Sequence, residues 1–211
     1  LKGLFWLETV IRLTALARDI ESSTNRIAEL VAALKEYSYM DQARFQEVDV
    51  HQGLENTLKI MAHKLKKGVM VKREYNAELP KICAYAGELN QVWTNLIDNA
   101  VDAMDGCGVL TLRTRQQQDT VIVEVRDTGK GVPDEIRSRI FEPFFTTKGQ
   151  GKGTGLGLDI TYRIVVYRHG GHIQVRSKPG ETSFEIQLPI QPPKESEIVA
   201  SLEKSEVLTQ S

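Results

Sequence analysis

Two glycine clusters hold the residues of this chain best suited to grip a ligand. The first is a carboxylate followed at once by two glycines, Asp127-Thr-Gly129-Lys-Gly131, and the second is the run Gly151-Lys-Gly153-Thr154-Gly155-Leu156-Gly157-Leu158. A carboxylate at a strand end accepts hydrogen bonds, and adjacent glycines let backbone pass close to a planar group without a Cβ in the way. That suits an adenine amino group. Gly153, Gly155 and Gly157 open the apolar periodic run 156–166, so bare N–H groups and the positive end of a helix dipole would face one point, where phosphate would sit. Between the clusters lies Phe141-Glu-Pro-Phe144-Phe145-Thr-Thr-Lys148, an aromatic and basic segment whose composition suits a nucleotide lid.

Neither cluster fits the commoner phosphate loops. No Lys-Ser or Lys-Thr pair closes the glycine run, as a P-loop demands, and Gly153-Thr-Gly155-Leu-Gly157 lacks the final spacing of a dinucleotide fingerprint. A flexible glycine linker is the alternative, but a linker would not be flanked on both sides by ordered apolar pattern. A second feature lies upstream. Over 86–104 the spacing predicts a helix on which Glu88, Asn95, Asn99 and Asp102 recur, while Leu89, Val92, Trp93, Leu96, Ile97 and Ala100 supply its buried sides. Asn95 and Asn99 fall one turn apart. An amide oxygen there could ligate Mg²⁺, which prefers hard oxygen donors and bridges phosphates; interior hydrogen bonds or solvent contacts are the alternative for both.

These residues need a scaffold. The alternating run Val121-Ile-Val-Glu-Val125 is a strand leading to Asp127. A helix over 51–65 and strands over 68–75, 80–84, 108–115, 120–126, 172–177 and 183–189 complete a mixed sheet with helices on one face. A boundary near residue 45 separates this domain, 46–190, from a helical segment over 1–45, and a weakly ordered tail occupies 191–211. In the first segment Trp6, Val10, Leu13, Ala17, Ile20, Thr24, Ile27, Val31, Leu34 and Ser38 form a heptad seam that fits a dimerising coil or bundle. A long amphipathic helix lying on its own domain is the alternative, and a cap within Arg18-Asp-Ile-Glu-Ser-Ser23 would divide it in two.

Composition narrows the classes. With 211 residues, 41% hydrophobic and 26% charged, the chain is of ordinary globular make-up, and its net charge of -1 offers no electrostatic case for nucleic acid or an anionic membrane. Cys83 and Cys107 lack the paired spacing of a zinc site or disulfide framework, which fits a reducing, cytoplasmic compartment. No apolar run approaches the ~20 residues of a membrane span. The missing initiating Met suggests a fragment, whose full-length form could be membrane-attached.

Asn95-Leu-Ile-Asp-Asn99-Ala, Asp127-x-Gly129-x-Gly131, Phe141-Glu-Pro-Phe-Phe-Thr-Thr-Lys148 and Gly153-Thr154-Gly155-Leu156-Gly157-Leu resemble, in order, the N, G1, F and G2 boxes of sensor histidine kinases. These belong to the GHKL superfamily that includes gyrase, Hsp90 and MutL. The resemblance covers about 48–189, and Gly180-Glu-Thr182 is similar to a shortened G3 box. It implies an α/β two-layer sandwich of Bergerat type that binds ATP between the Asn-bearing helix and the lid. On this resemblance Asn99 ligates Mg²⁺, Asp127 bonds the adenine amino group, and Gly129 and Gly131 let the base approach. Gly153, Gly155 and Gly157 would present amides to the phosphates, Phe141, Phe144 and Phe145 would anchor the lid, and Thr182 would complete the site. Lys148 is a candidate phosphate contact, since Asp102 stands where many relatives carry a basic residue; a solvated lid charge is its alternative.

Hydrolytic relatives place a Glu four residues before the metal-binding Asn. Here Asn95 stands there, and an amide cannot act as general base, so transfer of the γ-phosphoryl to a histidine, then to a response regulator, is the implied reaction. The acceptor sequence of the family's dimerisation hairpin is missing from 1–46, so a histidine-containing dimerisation domain outside this chain, in a homodimeric full-length protein, is the expected partner. His51, His63, His169 and His172 read as surface or packing histidines. A silent ATP-binding regulatory module and a gyrase-like or Hsp90-like ATPase are the other readings, the latter disfavoured by Asn95.

Overall fold

The computed structural model describes residues 45–66, 68–149 and 153–191; the heptad seam, Gly151 and the tail beyond residue 191 lie outside them. Two compact units divide the chain, Arg44–Phe145 with Gly155–Ser211, and Leu1–Ala43 with Thr146–Thr154. The larger unit runs β1 (Gln46–Val48), α1 (Val50–Ile60), α2 (Ala62–Leu65), β2 (Val69–Glu74), β3 (Ile82–Ala84), α3 (Ala86–Ala103), β4 (Gly108–Gln117) and β5 (Thr120–Asp127). It continues through α4 (Asp134–Arg137), α5 (Gly157–Tyr162) with a π-helical extension Arg163–Arg168, β6 (His172–Lys178) and β7 (Glu181–Pro189). In the smaller unit the Lys148 N–H donates to Thr146 Oγ1 at 3.1 Å, a local turn in which Gly153 also lies against both side chains.

Five strands form one sheet in the order β2-β4-β5-β7-β6, parallel between β2 and β4 and antiparallel elsewhere. The expectation of a single sheet is corrected: β1 and β3 form a separate antiparallel ribbon in which Val48 opposes Ile82. Three-residue strands are too short to show an alternation of their own. The helix expected over 51–65 is likewise two, α1 and α2, with a turn at Met61. Asp49 starts α1, its Oδ1 accepting from the N–H groups of His51 at 2.9 Å and Gln52 at 3.2 Å, which satisfies two amides with no partner inside the helix.

Pleating sends alternate residues to opposite faces. Val121, Val123, Val125 and Asp127 of β5 therefore share a face with Leu110, Leu112 and Thr114 of β4 and with Thr182, Phe184, Ile186 and Leu188 of β7. Over that face lies α3, whose Leu89, Val92, Trp93, Leu96 and Ile97 are at most 1% exposed, with α1 and α5 packed beside it. Each such side chain contributes roughly 1.5–3 kcal/mol by leaving water. The result is an α/β two-layer sandwich in which α3 is pressed against the central strand. Among the described residues no helix is long and apolar enough to cross a membrane.

Candidate functional site

Asp127 ends β5 as a 3% exposed carboxylate on the helix-covered face. Its Oδ1 accepts the Gly129 N–H at 2.8 Å, and burial outweighs that bond, pushing its carboxyl up to about 6. Across the ladder Asp127 stands opposite Thr182, itself 3% exposed. Residues 55 positions apart are thus set side by side at one sheet end.

The two glycines after Asp127 answer first to the protein's own backbone. A Cβ at Gly129 would fall 2.6 Å from the Ala103 carbonyl oxygen at the end of α3, and the next residue's N–H, that of Lys130, donates to the same oxygen at 3.1 Å. Gly131 adopts φ 84°, and a Cβ there would lie 2.6 Å from the Lys178 carbonyl oxygen. The turn is therefore clamped between the end of α3 and the β6–β7 turn, which holds Asp127 in place.

On α3, the Asn95 Nδ2 donates to the Gly157 carbonyl oxygen at 3.0 Å and more weakly to Thr161 Oγ1 at 3.4 Å. It thereby pins the first turn of α5, to which Gly157 belongs. Asn99 lies one turn further along, half-buried. Asp98, between the two, pairs with Lys64 of α2, whose ammonium is held above its usual range chiefly by that hydrogen bond. Among the described residues no group of three His, Cys, Asp or Glu is placed to hold a metal ion. Mg²⁺ at Asn99 would meet an amide oxygen together with ligand oxygens, a donor set that suits it.

Of the aromatic segment, Phe141 and Phe145 pack against the core. Phe141 lies 5.6 Å from the Tyr162 ring, and the Arg139 guanidinium sits 4.7 Å over Phe145. Phe144 departs from the expected anchoring: it is 54% exposed at φ 65°. Its backbone lies against Gly155, where a Cβ would fall 2.4 Å from the Phe144 carbonyl carbon. Leu156 precedes α5, half-buried. Lys148, Gly153 and Thr154 belong to the smaller unit.

Several groups carry no signal in the sequence. Ser177 of β6 accepts the Val132 N–H at 2.7 Å and lies 3.0 Å from Thr182 Oγ1, while its carbonyl accepts from Arg137 Nη2 at 2.8 Å. Strand register sets Ser177 beside Thr182, and the turn and short helix after Asp127 bring Val132 and Arg137 to it. Glu88 shares the Asn spacing on α3 but serves another purpose: 5% exposed, it accepts from Arg168 Nη2 at 3.0 Å, and burial raises its carboxyl against that bond. Beside it His169 is buried, its Nε2 accepting the Tyr85 N–H at 3.1 Å and its Nδ1 meeting the Ile164 carbonyl at 2.8 Å, and burial lowers its imidazole. His51 stacks on Tyr75 at 4.5 Å.

This geometry has known counterparts. A family model described as histidine kinase-, DNA gyrase B-, and HSP90-like ATPase matches residues 85–192. The sensor kinase CckA of Brucella abortus (strain 2308) is 37% identical over 187 residues, 81% of this chain and 20% of that protein. The chain spans about half or less of the length of the curated relatives it matches. The solved catalytic domain of histidine kinase ThkA superposes with a TM-score of 0.65 at 30% identity, covering 71% of this chain and 97% of that one. Histidine kinase ThkA in complex with response regulator protein TrrA gives 0.66 at 26% identity, over 82% of this chain and 50% of that one.

Proposed function

Because the chain belongs to the histidine kinase-, DNA gyrase B- and HSP90-like ATPase family, as a sensor histidine kinase ATP-binding domain, we propose that it binds Mg-ATP and phosphorylates a histidine that passes the group to a response regulator. The observation that carries this reading is the buried Asp127 carboxylate, held by Gly129 and set opposite Thr182 at the end of the central strand. An ionised carboxylate there accepts from an amino group, and the adjacent hydroxyl adds a second polar contact, a pair that fits the edge of adenine. Asn99 would hold Mg²⁺ through its amide oxygen. Gly155 and Gly157 are proposed phosphate contacts. Bound Mg-ATP supplies the transferable γ-phosphoryl group.

Asn95 is committed to Gly157 and carries no basic group, so it holds α5 and leaves water unactivated. Transfer to a side-chain acceptor is then favoured over hydrolysis. The acceptor is a histidine of a helical dimerisation domain, in a full-length homodimer. The complex of histidine kinase ThkA with response regulator protein TrrA supports a regulator as the final recipient.

The test is incubation with γ-labelled ATP and Mg²⁺, alone and with a supplied histidine-containing dimerisation domain. Acid-labile, base-stable label on the added domain, with slow release of phosphate, is the expected result. Binding of ATP without label on a competent acceptor would instead identify a silent regulatory module, and rapid phosphate release would overturn the role given to Asn95.

A further inference from the structure

Asp98 flanks Asn99 on α3, and Asp102 lies one turn beyond Asp98. Positions three and four apart on a helix are neighbours, so Asp102 borders both Asp98 and Asn99. This is the carboxyl end of the helix: α3 stops at Ala103, and its last turn holds no basic residue. Two carboxylates there add to the negative end of the helix dipole, where the triphosphate of Mg-ATP would approach Asn99. A balancing cation has to come from another element.

Lys64 provides it. α1 ends at the buried Met61, and the single turn of α2 buries Leu65 as well, leaving Lys64 between them against α3. Its Nζ donates to Asp98 Oδ1. The ammonium is held above its usual range chiefly by that hydrogen bond, and the nearby Asp102 carboxylate acts in the same direction. The two side chains are 43% and 35% exposed, so water screens the pair and its direct contribution to stability is small. What it changes is the local charge, one cation set against two carboxylates. An exposed charge is felt over about 10 Å at moderate salt, and one helical turn rises only about 5.4 Å. We propose that Lys64 is a further positioning residue of the nucleotide site, which acts through Asp98 to offset the acidic stripe beside Asn99 and so admits the triphosphate. The inference rests on the ATP-binding reading above.

The test measures the affinity of the whole chain for ATP with Mg²⁺, and for adenosine, by calorimetry at low and at high salt. Lys64→Met leaves the stripe one charge more negative, so ATP should bind about threefold or more weaker at low salt, with the gap closing at high salt. Adenosine carries no phosphate and should bind as before. Lys64→Arg keeps the charge and should keep the ATP affinity. Lys64→Met with Asp98→Asn still lacks the ion pair but has the original net charge, and should return ATP affinity to that of the unaltered chain. Unchanged ATP affinity in Lys64→Met, equal weakening of ATP and adenosine, or a loss that persists in the double variant would overturn the proposal while leaving ATP binding intact. Failure of the unaltered chain to bind ATP would overturn the ATP-binding reading itself, and this inference with it.

Discussion

At the scale of the residue, ionising Asp127 costs stability because its carboxylate is buried. Its carboxyl titrates at about 6 against an ordinary 3.8, so its contribution to stability is fully present below about pH 4 and is lost as pH rises through 6. Asp127→Asn, a neutral isostere, should therefore raise the stability of the ligand-free protein at pH 8 by something on the order of 2 kcal/mol. Urea unfolding should show that gain shrinking as the pH is lowered toward 4, while calorimetry shows ATP affinity at least tenfold weaker. Gly129 is constrained by the backbone of Ala103 rather than by a side chain that could swing aside. Gly129→Ala should cost about 1–3 kcal/mol, the usual range for overpacking, and should weaken nucleotide binding by displacing the turn that holds Asp127.

Elements meet at α3, and two polar contacts join it to the segment that follows the lid. At one end Asn95 donates to Gly157 of α5, but Thr161 Oγ1 also donates to that carbonyl, at 2.8 Å. Asn95→Ala should accordingly cost only about 1 kcal/mol, and Asn95→Ala with Thr161→Val more than the two single losses together. Amide exchange across α5 is the measurement. At the other end Glu88 binds Arg168, whose guanidinium lies 4.7 Å over the Tyr85 ring. Arg168→Ala leaves a buried carboxylate uncompensated; since Arg168 is one-third exposed, the loss should be about 1–3 kcal/mol, below that of a fully buried pair. Burial already raises the Glu88 carboxyl, so the deficit should be greatest at pH 8, where the group must ionise, and smaller at pH 4, where it is neutral. In a Glu88→Gln background the pH dependence should vanish, leaving the lost contact with Tyr85.

For the molecule as a whole, ligand and fold share one free energy. Mg-ATP at a hundred times its dissociation constant should add about 2.7 kcal/mol to the stability of the folded chain, visible as a rise in Tm that falls when EDTA removes the metal. The larger unit supplies Asp127, Thr182, Asn95 and Asn99 together. Asn99→Ala should abolish the metal-dependent part of that rise and spare the rest of the melting curve.

The order of the long elements was legible in local pattern. Alternation over 121–125 identified the strand that ends at Asp127, and the 3.6-residue spacing of Leu89, Val92, Trp93, Leu96 and Ile97 identified α3 as the helix that covers it. The proposed site residues, a carboxylate, two amides and the glycine runs, rest on residue type and spacing. Glu88 misled for the same reason, because helical spacing places a residue on a face without naming its partner, and Arg168 lies 80 positions away. The two-stranded ribbon of β1 and β3, the crowding of Phe144 and the meeting of Ser177, Thr182 and Asp127 were decided by the tertiary structure. Strand register is a collective outcome, fixed when every apolar residue of β5 and β7 must face α3 at once, and a slip of one residue would turn Asp127 and Thr182 to the opposite face.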